Sequence, residues 1–524
     1  MSNPVIPASS EPRTDLKTWM AVLGSIIGAF ISVLNIQITN ASLPNIQGAI
    51  GAGIDDGGWI STAYLVAEIV VIPLTGFLTP VFSLRRYLLG NTILFLVMSV
   101  ACAYAQNLNQ MIVLRALQGF FGGVLIPMAF TITLTMLPRS KQPVGLAMFA
   151  VSATFAPAIG PTIGGYLTET YGWQYIFYVN IVPGAIMLAT LWPSLRPAPM
   201  QLSLLKHGDW PGIATLAIGL AALQTVLEEG NKDDWFGSSF IVRLSITAAV
   251  SLALFLWIEL TTSNPLLNLR LLLRRNFGLG SLAAVILGMA LYGSVYLLPV
   301  YLSQTQGYNS EQVGMVLAWT GLPQLLLIPC VPFLMRHIDT RILVGVGFAL
   351  FALSSFLNLG ITPDYAGDQL FIPNLVRAVG QALVLTPLSA LATGGIEREN
   401  AGSASAMFNM MRNLGGSIGI AVLETFITKR EQFHSNVITA QVSLFDAATR
   451  QRIAELQSHF MASGHSDAVT AWHDAVLQIG RTIRAQSYLL AYSDAFYLMG
   501  AVLLLAMATT FAMRKTTGGG AGAH

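Results

Sequence analysis

Five charged side chains lie deep within long apolar runs of the sequence, and their types point to proton and ion chemistry. They are Glu68, Arg115, Arg377, Arg412 and Glu424. A charged group inside a membrane costs at least about 2.5 kcal/mol, so such groups are rare there and usually serve a substrate, ion or proton pathway. A carboxyl can exchange a proton, whereas an arginine keeps its charge and attracts a carboxylate or an anion.

The two carboxyls and Arg115 are the predicted proton-coupling residues. Glu68 lies near the middle of its apolar run and can carry a proton, or it can be a protonated, hydrogen-bonded structural glutamate. Arg115 can bias a neighbouring proton site, and Glu424 is a candidate for a second proton or cation site nearer the outer mouth. Arg377 and Arg412 are expected in the substrate cavity, or else they tether helices through backbone carbonyls.

Uncharged polar and aromatic residues predict the rest of the cavity lining. Asn35, Gln37 and Asn40 follow one another along the first apolar run, where their amides need partners or a water-filled cavity. Tyrosines can stack on a planar or cationic ligand, or they can anchor a helix at the lipid interface. The tyrosines expected at the cavity are Tyr64, Tyr292 and Tyr296. By contrast, Glu228, near the end of its run, is expected at the interface with water.

The fifth apolar run contains the sequence APAIGPTIGG, from Ala156 to Gly165. Gly160 and Gly164 form a GxxxG face that permits close helix contact, and Gly165 follows it. Pro157 and Pro161 lack an amide donor and are expected to kink the helix. This helix can act as a hinge between two halves, or it can simply pack tightly.

The composition places these residues in a membrane. Basic and acidic residues number 27 and 25 of 524, or 10% of the chain. A soluble globular protein carries about 25% charged residues, so a soluble enzyme is excluded. The net charge of +2 is too small to attract a polyanion such as nucleic acid, so a nucleic-acid-binding protein is excluded as well. We therefore predict an all-α polytopic membrane protein, embedded in lipid, with fourteen apolar runs of spanning length. These are 18–39, 58–79, 87–105, 110–135, 143–166, 173–193, 209–228, 240–259, 277–301, 311–334, 342–360, 370–394, 401–428 and 489–513.

Basic residues between the runs predict that both termini are cytoplasmic. An internal repeat predicts the domain organisation, since LRALQG at Leu114–Gly119 is similar to VRAVGQ at Val376–Gln381. The AMF of residues 147–149 recurs at residues 406–408, at nearly the same offset. Two six-helix bundles with two helices inserted between them explain this spacing. The predicted segments are a tail at 1–17, a bundle at 18–193, inserted helices and linker at 194–276, a bundle at 277–513 and a tail at 514–524.

Other patterns exclude or suggest further functions. The chain contains no phosphate-binding GxxxxGK[ST] loop, and no cluster of residues suggests an enzyme, a cofactor or a metal site. The long outer loop at 429–488 carries apolar residues at helical spacing, including Ile453, Trp472 and Val476. We expect either a helical hairpin that packs on itself or a docking surface for a periplasmic partner.

With these motifs the sequence resembles the major facilitator superfamily. It is similar to the fourteen-helix drug/proton antiporters, and among them to the EmrB-type multidrug exporters of Gram-negative bacteria. LRALQG resembles the fourth-span motif of that family, whose arginine, here Arg115, is implicated in proton coupling. APAIGPTIGG resembles the antiporter signature of the fifth span. The family usually has an aspartate where this chain has Asn35, and an aspartate and a glycine where it has Pro80 and Ser83.

The resemblance implies a function. We expect a proton-driven exporter of hydrophobic or aromatic compounds that works by alternating access in the bacterial inner membrane. It further implies a periplasmic membrane-fusion adaptor and an outer-membrane channel as partners. Two alternatives remain open: an exporter of one metabolite, such as a siderophore or an aromatic acid, and a transporter-derived membrane sensor.

Overall fold

The computed structural model describes residues 15–53, 56–262, 265–463 and 467–515. The predicted tails at 1–17 and 514–524 lie almost wholly outside these residues. Within the described ranges all regular structure is helical, which confirms the all-α prediction. Long apolar helices satisfy their own backbone hydrogen bonds, as a chain in lipid must.

Eighteen α-helices run along the described chain. They are α1 (Leu16–Ala41), α2 (Leu43–Ile50), α3 (Trp59–Phe82), α4 (Leu84–Cys102), α5 (Leu108–Gly122), α6 (Leu125–Met136), α7 (Gln142–Thr170), α8 (Tyr175–Tyr178), α9 (Ile181–Ser194), α10 (Trp210–Glu229), α11 (Ser239–Thr261), α12 (Arg275–Gln306), α13 (Ser310–His337), α14 (Thr340–Phe356), α15 (Phe371–Thr393), α16 (Ala401–Gln441), α17 (Ala447–Ala462) and α18 (Ala468–Phe511).

Twelve segments of the described chain are long and apolar enough to cross a membrane, with α5–α6 and α8–α9 each counted as one. Each overlaps a predicted apolar run, although α18 begins 21 residues before the run at 489–513. The remaining two runs correspond to α14, a shorter apolar helix of 17 residues, and to α16. The apolar stretch of α16 is interrupted by Asn409, Arg412 and Asn413. The count of fourteen spans therefore stays a prediction.

Matching helix pairs pack against each other in the two parts of the chain. The contact of α1 with α7 corresponds to that of α12 with α16, and the contact of α3 with α5 corresponds to that of α13 with α15. The glycines that the repeat aligns lie at these contacts. A Cβ on Gly160 would lie 2.4 Å from the Cβ of Gln37 on α1, and one on Gly419 would lie 2.5 Å from the Cα of Met289 on α12. Only glycine permits such an approach.

The two sets of helices, α1–α9 and α12–α18, meet along two seams. On one seam α7 packs against α13 and α15. On the other, α16 packs against α3 and α6. Helix α10 lies over this second seam in contact with both α3 and α16, and α11 packs on α10. The predicted division into two bundles with an inserted pair stays a prediction, and these contacts show where the intervening helices lie.

One end of the molecule carries a helical projection. α16 and α18 have 41 and 44 residues, which at 1.5 Å per residue makes each about 60–65 Å long, roughly twice the hydrocarbon thickness of a bilayer. Their extensions and α17 form the predicted outer loop, and α17 packs on α18. Ile453, Ala471 and Ala475 are buried, whereas Val469 is 78% exposed. We call this the α17 end.

Candidate functional site

A cavity of about 520 Å³ lies between the two sets of helices, a volume suited to a drug-sized ligand. Its mouth is at the α17 end, where Asn40, Lys232 and Ser303 are exposed to solvent. Glu68 and Asn413 lie farther along their helices towards the opposite end. Of the residues predicted from the sequence, those that line the cavity are Gln37, Asn40, Glu68, Pro161, Tyr292, Tyr296 and Glu424.

Other predicted residues lie behind the cavity wall. Asn35 and Tyr64 are 1% and 0% exposed and do not line the cavity, which corrects their placement from the sequence. Arg412 is also absent from the lining of the cavity. Arg377 lines a neighbouring space of only about 20 Å³, which shares Tyr292 with the main cavity. The side chains of these residues lie in helix–helix contacts. Their positions along the sequence do not show this, because the rotation of each helix is unknown from sequence.

Glu68 brings an ionisable group to the cavity from α3. It is 3% exposed, and its Oε1 has no hydrogen-bond partner among the described residues. The charges of Arg412 and Arg115 act on it, one from each set of helices. Gly123, the residue after α5, permits a close approach to α3, since a Cβ there would lie 2.9 Å from the Cα of Glu68. A buried carboxyl without a fixed partner can change its protonation state without breaking a structural bond.

Arg115 is held by neutral groups. Its Nη1 donates to Asn35 Oδ1 and to Gln118 Oε1, both at 2.6 Å, and its Nε donates to the carbonyl oxygen of Ile60 at 3.3 Å. The guanidinium lies 4.3 Å from the ring centre of Tyr64, where a cation–π contact adds to these bonds. Asn35 therefore accepts a bond from the arginine at the position where the resembling family has an aspartate.

Arg412, on α16, is the least satisfied of the buried arginines. It is 1% exposed, and its Nε and Nη1 have no hydrogen-bond partner in the described part of the chain. Its Nη2 donates to Asn413 Oδ1 at 3.4 Å, and its guanidinium lies 5.6 Å from the ring centre of Phe149. Both Glu68 and Tyr292 act on its charge. Glu68 and Arg412 are thus buried groups of opposite charge on the two sides of the second seam, and each has polar atoms without a hydrogen-bond partner in the described structure.

Arg377, on α15, occupies the place that corresponds to Arg115 in the repeat. Its Nε and Nη2 donate to Thr320 Oγ1 at 3.1 and 2.6 Å. Nearby, Gln324 donates to Gln381 at 2.8 Å, also between α13 and α15. Arg377 therefore joins two helices through a hydroxyl, whereas the sequence suggested backbone carbonyls for that tethering role.

Sequence reasoning missed the contribution of α10. Gln224, Glu228 and Glu229, together with Lys232 just beyond the helix, line the cavity. Glu228 therefore lines the cavity, close to Lys232 at its solvent-exposed mouth, and its expected place at the water interface stays a prediction. The pair of glutamates at the end of an apolar helix was the available signal, but it cannot distinguish a helix end at the membrane surface from one that borders a cavity.

The glycine and proline motif gives α7 two different packing faces. Gly164 faces α1, where a Cβ would lie 2.9 Å from the carbonyl oxygen of Ile38. On the other face, Thr162 packs against Gly314 of α13 in the other set. α7 is a single helix through Pro157 and Pro161, and Pro161 borders the cavity. Gly165 is buried beside Gly164.

The comparisons with known proteins agree with this architecture. Residues 25–420 match the family model of the Major Facilitator Superfamily. The chain belongs to the major facilitator superfamily. It is therefore a transporter of that superfamily and a multi-pass protein of the inner membrane.

Relatives in this superfamily match nearly the whole chain. The Colistin resistance protein EmrB of Acinetobacter baumannii is 32% identical over 97% of this chain and 98% of its own. The Multidrug export protein EmrB of Escherichia coli K12 is 29% identical, with 95% and 96% covered. The Fatty acid resistance protein FarB of Neisseria gonorrhoeae is 29% identical, with 92% and 93% covered.

Solved facilitator structures share the fold. The proton:xylose symporter XylE superimposes with a TM-score of 0.56 at 13% sequence identity, covering 95% of this chain and 96% of its own. The human organic anion transporter MFSD10 gives a TM-score of 0.55 at 15% identity, covering 94% of this chain and all of that one. Both show the facilitator fold that the sequence predicted. In the described part of this facilitator, no group of three His, Cys, Asp or Glu residues could hold a metal ion.

Proposed function

We propose that this facilitator is a proton-driven exporter of hydrophobic or aromatic compounds. The observation that carries the proposal is Glu68, a buried carboxyl with an unpartnered oxygen at the central cavity and within reach of the charge of Arg412. Curated relatives named as multidrug export proteins support drug export as the function. A proton gradient is then the energy source, and no cofactor takes part.

The geometry suggests how proton binding drives the cycle. An unprotonated Glu68 attracts Arg412 across the seam and favours contact between α3 and α16. Protonation removes that attraction and lets the seam open, which is the rocking motion of alternating access. Arg115 holds a fixed positive charge on the other side of Glu68 and favours release of the proton.

Glu68→Gln tests proton coupling directly. In proteoliposomes with an imposed pH gradient, we expect the variant to lose nearly all gradient-driven drug transport, because an amide cannot carry the proton. Exchange of labelled for unlabelled drug without a gradient should persist, since the cavity keeps its shape. Glu169→Gln, at an exposed glutamate of α7, is the matched control. Full gradient-driven transport by Glu68→Gln at normal expression contradicts the proposal.

We also propose that the α17 end docks a periplasmic adaptor, which connects this exporter to an outer-membrane channel. The support is apolar surface far from the membrane: Phe445 and Val469 are 96% and 78% exposed. The double variant Phe445→Asp/Val469→Asp should abolish drug resistance of cells while vesicle transport stays intact. Gln451→Asp, an exposed polar position on α17, should leave both unchanged. Unaltered resistance in the double variant would remove this part of the proposal.

A further inference from the structure

Arg377 is a buried cation that has no counter-charge in the described part of the chain. Its side chain, on α15, is 6% exposed. The charge of Glu68 acts on both Arg115 and Arg412, whereas no charged group of the described residues acts on Arg377. A buried charge without a partner of opposite sign strongly destabilises a folded protein. The charge balance around Arg377 is therefore incomplete.

The hydrogen bonds of Arg377 leave part of its guanidinium available. Nε and Nη2 both donate to Thr320 Oγ1, and Nη1 has no hydrogen-bond partner among the described residues. Unlike Nε and Nη1 of Arg412, this Nη1 is not fully enclosed by protein, so a small ligand can reach it. The Thr320 hydroxyl accepts both bonds and keeps its own hydrogen for a further acceptor.

A small space lies against this guanidinium. Its volume of about 20 Å³ is enough for one water molecule or one small ion. Besides Arg377, the polar residues that line it are Thr154, Tyr292, Thr320 and Gln381. None of the described residues that line it is acidic, so the arginine sets the charge of the space.

The polar groups around the space are mostly hydrogen-bond donors. The side-chain oxygen of Gln381 accepts a bond from Gln324 at 2.8 Å, which leaves the amide nitrogen of Gln381 available. The hydroxyl of Tyr292 makes no hydrogen bond in the described chain and can donate. Thr154 differs, because its hydroxyl hydrogen goes to the carbonyl oxygen of Ala150 at 2.9 Å. Such a surface suits a ligand that accepts hydrogen bonds and carries negative charge.

Helices of both sets surround the space. Thr154 and Pro157 reach it from α7, Thr320 from α13, and Arg377 and Gln381 from α15. It therefore lies at the first seam, where α7 packs against α13 and α15. A ligand held there contacts both sets and favours the arrangement in which this seam is closed.

We propose that Arg377, Thr320 and Gln381 form a binding site for one chloride ion at the first seam. The ion neutralises the guanidinium and accepts hydrogen bonds from the donors around it. A monatomic anion fits the space, whereas the ring of an aromatic acid is too large for it. The proposal does not depend on the exported compound or on proton coupling.

Replacement of chloride by gluconate tests the site. The full-length protein is placed in phosphatidylcholine nanodiscs, and sodium chloride is exchanged for sodium gluconate at constant ionic strength. We expect saturating chloride to raise Tm by about 2 °C or more, because a ligand that binds the folded state stabilises it. Radiolabelled chloride should bind with one ion per protein, and bromide should displace it.

Two substitutions should abolish chloride binding by opposite routes. Arg377→Gln removes the charge that holds the ion. Gln381→Glu places a carboxylate one helical turn from Arg377, where it replaces the ion as the counter-charge. In both variants Tm should be the same in chloride and in gluconate. Arg336→Gln, at an exposed arginine near the end of α13, is the matched control and should bind chloride normally.

Two results would overturn the proposal. Equal Tm in chloride and gluconate, with no bound chloride in the unaltered protein, would show that water fills the space. Unchanged chloride binding in Gln381→Glu would place the ion elsewhere, and this variant decides the question even if Arg377→Gln does not fold.

Discussion

At the residue scale, most of the candidate site could be predicted from the sequence because its residues are charges inside apolar helices. Arg115, Arg377, Arg412, Glu68 and Glu424 stand out because charges are costly in apolar helices, and the structure gives each a polar or charged neighbour. What the sequence does not reveal is which of them face the cavity. That depends on the rotation of each helix, and helices buried on several sides show no clear apolar stripe from which to read it.

Asn35 is the neutral side chain that partners the buried charge of Arg115. It accepts a bond from Arg115, and its Nδ2 has no partner in the described structure. We expect Asn35→Asp to raise the free energy of unfolding by about 1 kcal/mol or more, because a carboxylate would neutralise a charge that is already buried. Thermal unfolding in detergent measures this as an increase in Tm.

Asn35→Leu is the counterpart of that variant. It removes the acceptor and leaves Arg115 less satisfied, so we expect a loss of about 2 kcal/mol. A fall in Tm for Asn35→Asp as large as that for Asn35→Leu would show that the site does not tolerate a carboxylate beside Arg115.

At the scale of helices, apolar length predicts twelve of the segments well, and whether α14 and α16 also span the membrane stays a prediction. The apolar runs overlap all twelve long apolar segments, and most bounds agree within about five residues, but α18 begins 21 residues before its predicted run. α16 falls outside that set because polar residues interrupt it, including Arg412 at the seam. The role of α10 was not predictable, because its position over the seam follows from packing between distant segments.

The glycines at the two matching helix contacts predict how much stability depends on close packing of α1 with α7 and of α12 with α16. Gly160→Ala and Gly419→Ala should each lower the free energy of unfolding by about 1–3 kcal/mol, since the new methyl would push α1 from α7 or α12 from α16. Urea or thermal unfolding in detergent measures both losses.

Gly480→Ala is the control, because a Cβ at Gly480 meets no heavy atom within 4 Å. That substitution should be neutral or slightly stabilising, since alanine favours a helix over glycine by about 1 kcal/mol. If Gly160→Ala and Gly480→Ala behaved alike, the close approach of α1 and α7 would not matter for stability.

At the scale of the whole molecule, the proposed alternating access requires the two ends of the cavity to open in turn. At the end opposite α17, a Cβ on Gly76 of α3 would lie 3.5 Å from the carbonyl carbon of Gly402 on α16. Ser405 donates to the carbonyl oxygen of Pro127 at 2.8 Å in the same region. The halves are therefore in contact at this end while the cavity is open at the other.

A disulfide between these positions should stop the cycle. In Gly76→Cys/Gly402→Cys, with Cys330→Ser to remove the exposed native thiol, oxidation should abolish drug transport and a reductant should restore it. The variants that carry only one of the two new cysteines should transport normally after oxidation. Undiminished transport by the oxidised double variant would mean that α3 and α16 need not separate.

The length of α16 and α18 has a mechanical consequence. Each continues without a break from the transport core into the projection at the α17 end. A rigid rod magnifies rotation at its base, so a tilt of about 10° would sweep a tip about 30 Å away through about 5 Å. The projection thus acts as a lever arm. A protein bound to its tip would be displaced in every transport cycle.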